Sequence, residues 1–107
     1  DRMAMVPRTL EARGLDACPL MRDKLRAAGD ERAAEIVDII LNDEIEHVAL
    51  GNRWFLYACE LNSQNPVMQY RILAEKYNAP RLRPPFNLKA RRAAGFFEEE
   101  LTALAAI

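Results

Sequence analysis

Apolar residues recur along this chain at spacings of three and four and nowhere settle into a sustained alternation, so the pattern predicts helices and no strands. The longest periodic stretch predicts a helix over about 31–62, with Asp30 as its N-cap and Asn62-Ser63-Gln64-Asn65-Pro66 as the turn after it. Before it, residues 1–13 read as a helix or the end of one, stopped by Gly14, with Pro7 either opening it or kinking it. Leu15 to Cys18 read as a connection, and Pro19 as the start of a short helix, Leu20 to Ala28, ended by Gly29. Beyond the turn come a helix over about 67–77, an extended crossing segment from Arg81 to Phe86, and a last helical stretch from Leu88 to about Ala105. Asn87 caps that stretch and Gly95 interrupts it.

Within the long helix, Val37, Ile40, Glu44, His47, Gly51, Trp54, Ala58 and Leu61 follow one another at alternating steps of three and four. That is the pattern of a helix packed in a bundle. A carboxylate and an imidazole at the centre of this otherwise non-ionic stripe call for an explanation, because a buried charge without a partner is costly. Glu44 and His47, at i and i+3, leave consecutive turns in the same direction, so one metal ion could take an oxygen from the first and a nitrogen from the second. Gly51 would admit another helix or a ligand one turn below. The competing reading makes His47 a hydrogen-bonded core histidine and pairs Glu44 with an arginine of a neighbouring helix. Glu-x-x-His alone arises often by chance, and its position on the stripe is what gives it weight. Asp43 and Glu46 fall off the stripe and read as a solvated face, or at most as partners of the ligands.

The first helix carries a matching pattern, Ala4, Pro7, Glu11 and Gly14, and Glu11 is its one acidic residue after Asp1. A lone Glu on one helix with Glu-x-x-His on the next is half of the site found in ferritin-like di-metal proteins. The alternative is an exposed Glu11 in an arginine-rich turn with Arg8 and Arg13.

Composition narrows the field without choosing within it. A chain of 107 residues suits one small domain or part of a larger one. With 50% hydrophobic and 29% charged residues it is not disordered in bulk, and no run approaches the roughly 20 apolar residues of a membrane span. Lys plus Arg number 15 against 16 for Asp plus Glu, so net charge argues for neither nucleic acid nor membrane. Cys18 and Cys59 form no C-x-x-C pair; no disulfide framework is expected, and a reducing cytoplasm is. Helical spacing is already under way at the first residues, and no signal-peptide layout precedes it, so the chain is expected to begin inside a helix. Trp54, Phe55 and Tyr57 read as core. Arg81, Arg83, Lys89, Arg91 and Arg92, followed by Glu98-Glu99-Glu100, read as solvated surface.

Two long stretches, Met5-Val6-Pro7-Arg8-Thr9-Leu10-Glu11-Ala12-Arg13-Gly14-Leu15-Asp16 and Asp43-Glu44-Ile45-Glu46-His47-Val48-Ala49-Leu50-Gly51-Asn52-Arg53-Trp54-Phe55, resemble the bacterial ferritin-like family known as domain of unknown function 455. The resemblance covers most of the chain but only the C-terminal part of the family's usual length. It implies an all-α fold: residues 1–107 would be the C-terminal half of a ferritin-like four-helix bundle whose N-terminal helices are missing. It also implies that Glu11, Glu44 and His47 are the metal ligands of the second of two Glu-plus-Glu-x-x-His halves. His47 is the only histidine, so a complete four-carboxylate, two-histidine site cannot form in one chain. A homodimer that rebuilds it is therefore expected, since a two-helix hairpin cannot bury its own apolar face. Iron is the implied metal, with manganese or zinc as alternatives. The implied function is that of a di-metal carboxylate protein, an oxygen-activating di-iron oxidoreductase or hydroxylase. Its substrate would be a small molecule or, by analogy with tRNA-hydroxylating di-iron enzymes of the same architecture, a tRNA. The alternative is a metal-binding or purely structural helical module without turnover.

Overall fold

The computed structural model describes residues 1–107, and all its regular elements are helices. The first rod runs unbroken through three segments: α1 (Arg2–Met5), a π-helical stretch (Val6–Glu11) and α2 (Ala12–Ala27). Then follow α3 (Glu31–Leu61), α4 (Pro66–Lys76), α5 (Leu88–Ala93) and α6 (Glu98–Ala105). The first rod and α3 form an antiparallel hairpin, and the short C-terminal helices pack against it. The molecule measures 51 × 26 × 23 Å, about the length of α3 at 1.5 Å per residue and two helices thick.

The long helix, its caps and the later breaks match the sequence pattern. Gly29, with φ of +85°, closes α2 in a left-handed turn: its own N–H donates to the Arg26 carbonyl and the Asp30 N–H to that of Leu25. Asp30 accepts the Ala33 N–H at 3.1 Å, Asn65 that of Met68 at 3.1 Å, and Asn87 that of Ala90 at 3.1 Å. Gly95, at φ +91°, separates α5 from α6.

The first 29 residues correct the sequence reading. Gly14 does not stop a helix, Leu15 to Cys18 are not a connection, and Pro19 lies inside α2. The rod continues because tertiary packing outweighs local preference. Ala12, Leu15 and Cys18 are buried, and Leu15 packs with Val48 of α3 and with Ala90, Ala94, Phe96 and Leu101 from the C-terminal helices. Pro7, which has no N–H to give the preceding turn, falls in the widened π stretch. The Thr9 hydroxyl there donates to the Ala4 carbonyl at 2.8 Å.

The buried stripe of α3 is also not the expected one. Leu41, Ile45, Val48, Asn52, Phe55 and Cys59 face the chain's own core, each one residue after Ile40, Glu44, His47, Gly51, Trp54 and Ala58. One residue is about 100° of helix rotation. Of the expected stripe only Val37 and Gly51 are buried; Ile40, His47, Trp54 and Leu61 are exposed, and Glu44 is half-buried. Phe55 is core, as expected, but Trp54 and Tyr57 are not. The helix thus carries two adjacent stripes, and this chain covers one.

Two ion pairs hold the C-terminal helices to the hairpin, and they correct the reading of Arg91 and Glu100 as solvated. Arg8 is only 2% exposed; its guanidinium makes a bidentate pair with Glu100 at 2.5 and 2.8 Å and lies over the rings of Phe55, Tyr70 and Phe96. Glu100 also accepts the Phe97 N–H, closing the start of α6. Arg91, likewise buried, forms a fork with Asp16 at 2.6 and 3.0 Å, and Asp16 further accepts the Asn87 N–H. Removing one partner of such a pair leaves a charge in the core. Glu100→Ala is expected to cost about 3–5 kcal/mol in urea unfolding, and the double replacement Arg8→Met, Glu100→Leu much less.

Candidate metal centre

The register of the hairpin determines what meets what between the first rod and α3. Gly14 faces Glu44: a Cβ built on it would lie 3.6 Å from the Glu44 Cγ. Seven residues along each helix, Pro7 faces Gly51 so closely that a Cβ on Gly51 would lie 2.3 Å from the proline ring. The bare backbone of Gly51 therefore admits a neighbouring helix, as its place in the sequence suggested. Between these two contacts the same antiparallel register sets Glu11 opposite His47. Both line an open groove of about 380 Å³, walled by Val6, Pro7, Leu50 and Trp54.

Glu44 is the unusual member. It has no arginine partner, and its Oε1 is buried without any hydrogen bond. Burial first, and the neighbouring Glu11 charge second, push its carboxyl above the ordinary range, with His47 partly opposing them. His47 is exposed, so it is not a core histidine, and Arg8 points to Glu100 rather than to Glu11. Neither structural alternative read from the sequence describes these side chains. Glu11 is half-buried; Asp43 and Glu46 are exposed. Cys18 and Cys59 are both free and buried, and Cys18 lies in α2 rather than in a connection. Burial raises the thiol pKa of each, in Cys18 with help from the Glu44 charge. That makes them poor nucleophiles.

The three expected ligands therefore line neighbouring turns of two facing helices, and the charges of Glu11 and His47 both act on Glu44. They do not converge into a group of three donors able to enclose a metal ion within this chain. Glu11 and His47 form a polar patch in the wall of the open groove, and Glu44 lies one turn from His47. Sequence reasoning missed Pro7 as the side chain that sets the helix spacing here. The signal was present, since Pro7 and Gly51 each sit four residues from an expected ligand.

The model of the family described as Protein of unknown function (DUF455) matches residues 1–102. The chain belongs to that family. A Haemophilus influenzae relative, described as an uncharacterized protein, is 42% identical over 101 residues. The match takes in 94% of this DUF455 chain and 35% of the relative, so the chain spans about a third of that protein's length. No solved structure matches. In this DUF455 chain no helix is long and apolar enough to cross a membrane.

Two measurements probe the wall. Gly51→Ala must push Pro7 away and is expected to destabilise by about 1–3 kcal/mol, whereas Gly14→Ala, with room for its methyl, should stabilise by about 0.5–1 kcal/mol. Thermal melts in chelator would rank them. Glu44, raised in the fold, holds its proton more tightly there than in the unfolded chain. Its contribution to stability is therefore best below the ordinary carboxylate pKa and is lost as pH rises through the raised value. Metal-free Glu44→Gln should thus melt above the parent at pH 7, with the gap closing toward pH 4 (about the ordinary carboxylate pKa).

Proposed function

We propose that this chain is half of a ferritin-like di-metal carboxylate protein, and that Glu11, Glu44 and His47 are its share of the ligands. The observation that carries the reading is Glu44, a carboxylate with a buried, unpartnered oxygen, its pKa raised first by burial and then by a second carboxylate, set beside an imidazole on an otherwise apolar face. A protein gains nothing in stability from that arrangement by itself. A divalent cation would supply the missing positive charge and restore the Glu44 carboxyl to its ionised form.

The donor set fits iron or manganese, with zinc as a third choice, and it fits half of a site rather than a whole one. The other donors would come from a second helical pair laid on the exposed stripe of Ile36, Ile40, Leu50, Trp54 and Leu61. For this chain the partner is a second copy, which brings its own Glu11, Glu44 and His47 and makes a two-fold site. Two irons held this way would supply oxygen-activating chemistry toward a small-molecule or tRNA substrate. The chain's own part is to hold its ligands at the spacing that Pro7 and Gly51 set, and to line the approach with apolar side chains.

The test is elemental analysis after anaerobic loading with ferrous iron, on protein whose mass in solution is measured by light scattering. About one metal per chain in a dimer is the expected result, lost in Glu44→Gln and in His47→Ala. A dimer that binds no metal, and is unaffected or stabilised by these replacements, would make the face a structural helix interface instead.

A further inference from the structure

A second cleft, sharing no residue with the carboxylate–histidine groove, opens between the first rod, α4, the crossing segment and α6. Its volume is about 210 Å³. A cavity of about 150 Å³ takes up benzene, so the cleft has room for one ring with a substituent or two. Val67, Leu82, Phe96, Leu104 and Ile107 make its apolar walls.

Charge does not favour an ion here. Arg8 is neutralised by Glu100 and Arg91 by Asp16, each through a two-point fork, and the exposed lining residues Arg71 and Glu99 have opposite signs. The hydrogen-bond inventory is more specific. Thr9 gives its hydroxyl proton to the Ala4 carbonyl, so in the 2.5 Å contact between Thr9 and Tyr70 the tyrosine must be the donor. The Tyr70 oxygen then keeps its lone pairs and has no donor to fill them. Both residues line the cleft.

We propose that this cleft binds a small neutral ring compound carrying one hydroxyl, of phenol or cyclic alcohol type, with Tyr70 as acceptor of its proton. The ring fills the apolar walls, and the hydroxyl makes the hydrogen bond that Tyr70 lacks. Lone apolar rings fit the same space without that bond, and a carboxylate would meet only the exposed Arg71, whose charge Glu99 in the same lining offsets.

Ligand-detected NMR on the 107-residue chain with p-cresol, toluene and benzoate tests this. p-Cresol is expected to bind with a Kd on the order of 1 mM and toluene about fivefold more weakly, with benzoate weakest. Tyr70→Phe should bring p-cresol down to the level of toluene, about a fivefold loss, and leave toluene unchanged. Ala103→Trp, an exposed position on α6 that lines the cleft, should abolish binding of both while the melting temperature holds. Equal affinity for p-cresol and toluene, tightest binding of benzoate, or no binding to folded protein would each overturn the proposal. None of these readouts involves the metal ligands.

Discussion

A buried arginine organises this small molecule. Only 21 of 107 residues are buried, and some of those are charged or polar, so the apolar core is thin for five helical rods. The Arg8 guanidinium joins what the core does not. It starts from the π stretch, lies among Phe55 of α3, Tyr70 of α4 and Phe96 before α6, and ends on Glu100. Taking a guanidinium out of water is expensive, and the arrangement offsets that cost with a two-point ion pair and three ring faces. A lysine could not do the same, because it has neither the planar fork nor the flat face. The Arg8 Nε is still left without a partner, a residual cost that the rest of the cluster must carry.

From this clamp follows the geometry on the other side of the rod. Arg8 is drawn toward the C-terminal helices while its neighbour Pro7 is seated on Gly51, so the rod is held from two directions across one turn. The spacing of the first rod and α3 is thereby set where Glu11, Glu44 and His47 face each other. Their stripe is left uncovered because the C-terminal helices occupy the adjacent one, running from Leu41 through Val48 to Cys59. On the proposed reading, a helix with apolar side chains over both stripes would lie in the middle of a larger bundle. The carboxylate–imidazole group then falls on the seam where the two halves of such a bundle would meet.

The candidate ligands could be named from the sequence because Glu-x-x-His stands out in phase against apolar neighbours. The face they occupy could not, since Ile40, Trp54 and Leu61 are as apolar as Leu41, Phe55 and Cys59, and periodicity cannot say which of two adjacent stripes a chain covers for itself. Gly14 and Pro19 misled for a related reason. Their local penalties, of about 1 and 3 kcal/mol, are outweighed by burial of Ala12, Leu15 and Cys18, which no local pattern reports. Arg91 and Glu100 misled because a charged residue in a basic or acidic run is normally solvated.

The sequence alone determined the helical class, the extent of α3, the caps at Asp30 and Asn87, and the family, because these depend on local chemistry and residue order. Tertiary structure decided the continuity of the first rod, the stripe of α3 turned inward, and which charged residues are core. Those depend on contacts such as Arg8 with Glu100, 92 residues apart, and their energies exist only once the helices have met.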